Sequence, residues 1–503
     1  MKKLSLILTL ALLAITTTAW AQEEITVSNE AQLRNFLTSN YTSATLSDGA
    51  LITLTGGELV VDRAVTINIG NRPISGGNVR RIFNVTASGN LTLTGSSSLT
   101  QGSATNGGII YNAGTVTISG GMEISYGQAT NGGAIYNAGT LTLNGGNISH
   151  CEATNGGAIY NVGELTINEG TITSCTATRN NDSGGQGGGI YSTGIVNISG
   201  GSISSNEAGN GAAINLYGGT FTMTGGTISG NSTIVSGSAN KKCGGLNITH
   251  GANATMSGGS IADNISLDDD GGVYIGSGCT FTMTGGSITG NQAVNFGGIR
   301  VDGTFNMSGG SISGNNATNS YGGLRVNGSG TFNMTGGSVS GNTATEHGGI
   351  YVNGTLNMTG GSVTGNSATN NYGGIYVNGT LKMSGRPVVM GNLVTPSSSD
   401  TITSNVYLPS SKKITVNGAF TTGANVGITC AGGENTTFTS GFGTNSPNNL
   451  AVFTSDNLSY IVTVLGNEAK LVDYNAPTIS DHNVPYLNVL EAEIMEQHIE
   501  NFA

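Results

Sequence analysis

The sequence predicts an all-β protein, a right-handed parallel β-helix (solenoid) with three short strands per coil and terminal caps. Three observations carry this expectation. One phrase recurs down the chain, most cleanly at 348–372 (GGIYVNGTLNMTGGSVTGNSATNNY), and reopens at Gly373. Its anchors are Tyr111, Tyr136, Tyr160, Tyr191, Asn215, Asn247, Tyr274, Arg300, Arg325, Tyr351 and Tyr376, mostly about 24 to 27 residues apart. Each copy holds three short stretches in which apolar and polar residues alternate, the period of a strand with one buried face. Between those stretches stand Gly and Asn pairs at constant offsets, which tolerate positive φ.

In the cleanest copy, Ile350, Val352, Leu356, Met358 and Val363 are expected to point inward, and Tyr351, Asn357 and Thr359 outward. No copy has a helical pattern long enough for a crossover helix. The period is too short for a propeller blade of about 40 to 50 residues. The leucine-rich framework is also missing. Eleven anchored coils at about 4.8 Å each give a rod segment on the order of 50 Å. Asn206, Asn231, Asn264, Asn291, Asn315, Asn342, Asn366 and Asn392 share one turn position after an Ile/Val-x-x pattern. Stacked in this way, each amide can bond to the next and hold the register.

Gly contributes 84 of 503 residues, more than twice the usual share of about 7 %. There is no Gly-x-y period, so collagen is excluded, and the regular apolar spacing argues against disorder. Charged residues make up only 9 % and the net charge is −11. Without a basic patch, nucleic acid is not an expected partner.

Residues 1–21 read as a secretory signal peptide. Lys2 and Lys3 begin it, 4–15 form the apolar run, and Ala19-Trp20-Ala21 is the small-residue cleavage site. The run is short for a membrane span, and no integral membrane segment is expected after cleavage. The destination is extracellular, or the cell surface or outer membrane of a bacterium. Residues 22–50 are read as an N-terminal cap: a strand at 25–27, then a short helix with Asn29 and Gln32 at capping-box spacing and Leu33, Phe36 and Leu37 on one face. Residues 51–395 form the β-helix, with weaker coils before the clean repeats. Residues 396–475 are read as C-terminal coils and a β cap, with strands in 405–416 and 426–430 and a hairpin about Gly466-Asn467. Residues 476–503 are read as a tail with a short acidic amphipathic helix over 487–502, packed on the cap or partner-binding. No terminal run of about ten alternating ten-residue strands is seen, so no membrane barrel is expected.

The GGAIY motifs at 132–136 and 156–160, with the Ile/Val-x-x-Asn motifs, resemble the repeats of polymorphic outer membrane proteins. Their hallmark pair is GGAI and FxxN; here an aliphatic residue stands in place of Phe. The resemblance covers 107–392 and implies a bacterial surface β-helix with an adhesin role. Members typically carry a C-terminal barrel, so their export route is not implied for this chain. The pattern is also similar to Gly/Asn/Thr-rich β-helix proteins secreted by gut and oral bacteria.

The most suggestive surface is an outward ladder: Tyr111, Tyr136, Tyr160 and Tyr191, then Tyr274, Arg300, Arg325, Tyr351 and Tyr376. Rings and guanidinium planes in a row can stack on sugars or grip a partner protein. They can equally stack on one another, which stabilises the sheet without any ligand. Thr115/Thr117, Thr140/Thr142, Thr220/Thr222 and Thr280/Thr282 form a second array that resembles ice-binding β-helices. That array is interrupted by Glu164, Ile195, Asn253, Asn306, Asn333, Asn357 and Lys382, and Thr is in any case a good exposed strand residue.

Asp268, Asp269 and Asp270 form the densest carboxylate run, with Asp263 in the same coil, Asp302 one coil on and Arg300 as the nearest base. This is a candidate Ca²⁺ loop, or the seed of a polysaccharide lyase or hydrolase site, set against a plain solvated turn. Insertions at 178–186 and 232–242 are candidate binding loops. The five His share no metal-ligand spacing. Cys151 and Cys175 occupy the ladder-Asn position in adjacent coils, where about 5 Å between Cα atoms suits either a disulfide or stacked thiols. The expected function is adhesin-like binding, or a structural module, for surface glycans or proteins, without catalysis or an organic cofactor. The alternative is a pectate-lyase-like polysaccharide-active β-helix.

Overall fold

A computed structural model describes residues 24–178, 185–234, 243–396 and 400–474. They form a right-handed parallel β-helix of about 16 turns. Identical phrases meet in register. On the first face Ile299–Val301, Leu324–Val326, Ile350–Val352 and Ile375–Val377 pair in parallel, Arg300 against Arg325, Arg325 against Tyr351, and Tyr351 against Tyr376. On the second face Thr280–Met283, Thr304–Met307, Thr331–Met334 and Thr355–Met358 do the same. The third face runs through Ser287–Thr289, Ser311–Ser313, Ser338–Ser340 and Ser362–Thr364. Most coils from Ser103 onward add a short fourth strand, such as Asn316–Ala317, Thr343–Ala344 and Ser367–Ala368, at a place the sequence marks only as a turn. Two residues are too few to show alternation, but the buried Ala is their signature.

The alternation fills the interior as expected. Ile350, Val352, Leu356, Met358 and Val363 are all 0 % exposed. Phe281, Phe305 and Phe332 stack through the core at centroid distances of 5.4 and 4.8 Å. The Asn ladder forms as predicted. From Asn231 on, Oδ1 of each Asn accepts from the backbone N–H and the Nδ2 of the Asn one coil earlier, and each Nδ2 also donates to a carbonyl one coil back; Asn342 Oδ1, for example, takes Asn315 N at 3.0 Å and Asn315 Nδ2 at 2.9 Å, while Asn342 Nδ2 reaches Ile312 O at 3.0 Å. It ends at Asn405, whose N and Nδ2 donate to Asp456 at 2.8 and 2.6 Å. Burial pushes the Asp456 carboxyl up, against the opposing pull of those bonds.

The residue before the ladder position, which holds Gly127, Cys151 and Cys175 in the early coils and Asn later, is left-handed in coil after coil. Gly290, Gly314, Gly341 and Gly365 adopt φ of 63 to 65° there, but Tyr126, His150, Ser174, Ser205 and Asp263 hold φ of 52 to 55° in other coils. A Cβ is strained in that region. Ser205→Gly is therefore expected to stabilise the rod by about 0.5–1 kcal/mol, and Gly341→Ala, where there is open space, to cost about 1–2 kcal/mol. Urea unfolding midpoints of the two variants check the sign. The second Gly of each Gly-Gly turn has a different reason: a Cβ on Gly337 (φ 79°) would lie 2.6 Å from Met307 Cε.

At the start, Ile25–Val27 pairs in parallel with Ser43–Leu46, and the helix Glu30–Thr38 lies between them in sequence. Asn29 is its N-cap, accepting from Gln32 N at 2.9 Å, while Gln32 Oε1 reaches back to Ser28 N at 2.7 Å, one residue earlier than a capping box would have it. Leu33, Phe36 and Leu37 are buried in the common core. Glu30 fastens the helix to the next coil, accepting from Thr55 N at 2.7 Å and Gly56 N at 2.9 Å and pairing with Arg34 at 2.7 Å. At the other end Val406–Leu408, Ile414–Phe420 and Asn425–Cys430 continue the rod. Tyr460–Leu465 and Glu468–Asp473 then form the expected antiparallel hairpin, with Gly466 at φ 67°. The expected leader at 1–21 and the expected tail helix at 487–502 lie outside the described residues, as do the centres of both insertions. Among the described residues no helix is long and apolar enough to cross a membrane.

Candidate binding face

Strand alternation places one outward side chain per coil at the middle of the first face, and parallel register stacks these into a column. Tyr111, Tyr136, Tyr160 and Tyr191 stack at 5.3, 5.2 and 4.9 Å between centroids, the first two pairs within 6° of parallel. Their ring faces are thus spent on one another, with Arg81 lying 5.2 Å over Tyr111 at the head of the column. Hydroxyl edges, not ring faces, remain for solvent. Of the two readings of the ladder, stacking on sugars or on one another, these four rings take the second. Burial raises the Tyr136 and Tyr160 phenols, so they stay protonated donors.

The column is not continuous. Asn215 and Asn247 take the ring position in two coils, bonded to each other at 2.9 Å, and the aromatic run shifts to Tyr217 and His250. It resumes at Tyr274. Tyr191 and Tyr274 are only 8 % and 3 % exposed, so these two predicted contact residues are covered. Tyr274 donates to Asp302 Oδ2 at 2.9 Å, and burial, then Asp302, push its pKa well up.

Beyond Tyr274 the face gains a second column that sequence reasoning missed: Phe296, Tyr321, His347 and Tyr372, bridged in parallel register. Its signal is an aromatic or His immediately before each Gly-Gly. The columns interlock. Arg300 lies 5.4 Å over Tyr274 and 5.0 Å over Phe296; Arg325 lies 5.6 Å over Phe296, 4.9 Å over Tyr321 and 5.4 Å over Tyr351. Tyr351, Tyr376 and Tyr407 continue the first column at 5.4 and 5.8 Å. His347 meets Tyr351 edge-on at 4.8 Å. Burial, joined by the Arg325 charge, lowers its pKa from 6.5 to about 4, against a backbone bond involving Ser320.

That shift predicts a pH dependence. The folded state binds the His347 proton more weakly than the unfolded chain. Its contribution is complete above pH 6.5 and falls away as pH drops toward about 4, by up to about 3 kcal/mol. His347→Phe keeps the ring stack and removes the proton site. Urea midpoints at pH 7 and pH 4.5 should differ less in the variant than in the parent protein; equal differences would remove His347 from the account.

The Asp run is divided between the interior and the surface. Asp270 turns inward and is 1 % exposed, while Asp269 lies 3.9 Å from Arg300 and accepts from Asn295 at 3.3 Å. The chain bends at 267–269, and Asp270 is the one of the three that bridges in parallel to the neighbouring coils, at Cys243 and Phe296. Among the described residues no three His, Cys, Asp or Glu side chains converge on a metal-sized site. Asp302, 8 % exposed, pairs with Arg300 at 3.3 Å instead of facing a groove. Burial works against the Arg300 charge, but Asp270 and Asp302 outweigh it and raise its pKa.

Cys151 and Cys175 are buried free thiols. Cys151 Sγ lies 3.2 Å from Ser149 O and Cys175 Sγ 3.4 Å from Thr173 O, and burial pushes the Cys151 thiol well up. On the Thr-bearing face the columns are in register, Thr115 on Thr140 and Thr280 on Thr304. A shallow depression of about 170 Å³ lies there, lined by groups that include Thr166, Asn197, Ser199 and Thr222.

Comparison with protein-family models, curated proteins and solved structures finds no match.

Proposed function

We propose that this chain is an exported bacterial β-helix that acts at the cell surface, or once released, as an adhesin-like binding module for glycans, without catalysis. The observation that carries this reading is the flank from Arg325 to Tyr407, where register repeats a guanidinium or a phenol once per coil along a rigid rod. Repeated hydrogen-bonding groups on a preorganised scaffold suit an extended, hydroxyl-rich ligand, because little ordering entropy is lost on binding. The lysine-led apolar leader at 1–21 supports export. Helix Glu30–Thr38 and the hairpin over 460–473 would cover the ends, as solenoid ends require. The cleaving alternative needs convergent carboxylates facing a substrate; Asp270 and Asp302 are buried, and Asp302 is engaged by Tyr274 and Arg300.

A glycan array probed with the full chain, followed by size analysis of any bound glycan, tests the reading. Binding without shortening, weakened in a Tyr351→Ala/Tyr376→Ala double variant, is expected. An empty array would overturn it, as would shortening that is lost in Asp269→Ala.

A further inference from the structure

Arg300 and Arg325 stand in consecutive coils, in register, on the same framework. Arg300 has two acids: Asp269 from the preceding coil at 3.9 Å and Asp302 two residues on at 3.3 Å. One coil later the equivalent positions are Asn295 and Asn327. Amides of nearly the same shape have replaced both carboxylates, and the cation is kept.

The result is a guanidinium fixed by three rings, Phe296, Tyr321 and Tyr351, with no carboxylate in ion-pair contact among the described residues. Its Nε is buried and makes no hydrogen bond. Asn327 Oδ1, the counterpart of the Asp302 oxygen that takes Arg300 Nε–H, is also buried without a bond. A third such atom is close by: Nδ1 of His347, a residue 9 % exposed that packs edge-on against Tyr351. Buried polar groups are almost always satisfied, so three orphans in one patch mark a place where a partner is missing.

We propose that Arg325 is the centre of a carboxylate-binding site that takes the uronate of a hydroxyl-rich glycan, an inference that rests on the glycan-binding reading above. A planar guanidinium held by rings is preorganised for a carboxylate and loses little entropy when it binds one. Neutral groups follow it on the next coils: the phenols of Tyr351 and Tyr376, and the amides of Asn353 and Asn378, joined at 2.9 Å. These match sugar hydroxyls. An extended peptide has no place to add here, because Leu324–Val326 is already paired on both sides. The net charge of −11 disfavours a densely anionic chain, and Glu346, one coil on, adds to that. A glycan in which acidic and neutral sugars alternate meets both conditions.

Calorimetric titration of the full chain with a hyaluronan hexasaccharide, its carboxyl-reduced form and an oligoglutamate tests this. The hexasaccharide should bind, and the reduced form at least about tenfold more weakly, as expected for loss of a charge-assisted pair. Arg325→Met should bring the hexasaccharide down to the level of its reduced form. Arg325→Lys, which keeps the charge but not the planar fork, should lose most of the difference and serves if the Met variant fails to fold. Equal binding of both hexasaccharides, unchanged in Arg325→Lys, overturns the carboxylate site and leaves the glycan reading standing. No binding of either, alongside an empty array, removes both. Tighter binding of oligoglutamate overturns the sugar assignment in favour of an acidic peptide.

Discussion

Asn342→Leu is expected to cost roughly 3–5 kcal/mol of the rod's stability. The substitution keeps the shape and removes four bonds. Asn342 Oδ1 accepts from Asn315 N and Nδ2, and its Nδ2 donates to Ile312 O at 3.0 Å and Asn366 Oδ1 at 2.8 Å. Every Asn of this ladder from Asn206 to Asn392 is 0 % exposed, so water cannot stand in. The Asn315 N–H is left buried without an acceptor, at about 1–3 kcal/mol, and the Ile312 carbonyl, which lies in a paired strand, loses its side-chain donor. Because a solenoid's coils couple mainly to their neighbours, the damage should be local. Hydrogen exchange should accelerate first at the amides of 312–316 and 338–343, before the distant coils respond. A loss under about 1 kcal/mol would mean that the ladder fixes register without stabilising it.

Arg300→Met is the second large expected effect, roughly 3–5 kcal/mol at neutral pH. The methionine replaces the stem and leaves Asp302 and Asp270, 8 % and 1 % exposed, without the cation beside them. Buried carboxylates that lose a neighbouring cation hold their protons more tightly in the folded state. The variant's deficit should therefore shrink as pH falls through the carboxylate range, the reverse of the His347 effect. Denaturant midpoints of parent and variant at pH 7 and pH 4 measure it. A deficit independent of pH would assign the loss to packing against Tyr274 and Phe296 instead. The same substitution at Arg325 should cost far less stability, since no acid is stranded there. The contrast separates a structural arginine from one available to a ligand.

Much of this was legible in the chain alone. A period that returns Ile350 to Ile375 and Tyr351 to Tyr376 leaves parallel coils as the only economical packing, and alternation then assigns inside and outside. The Asn ladder, the Gly-Gly turns, the Asn29-capped helix and the Gly466 hairpin follow from local chemistry that one coil contains. Whatever depends on neighbouring coils had to come from the fold. Two-residue strands carry no period. The column of Phe296, Tyr321, His347 and Tyr372 exists because side chains beside each Gly-Gly lean against the adjacent strand of the next coil.

Sequence by itself determined that like meets like along the axis, because a fixed repeat admits one register. Only the tertiary structure decided what each outward residue is free to do. Covering neighbours bury Tyr274, parallel stacking uses the faces of Tyr136, and Asp269 and Asp302 occupy Arg300 while Arg325, one coil away, keeps its charge uncompensated. The physical reason is that availability is a property of distances between coils, and those are set by packing across the rod rather than by spacing along the chain.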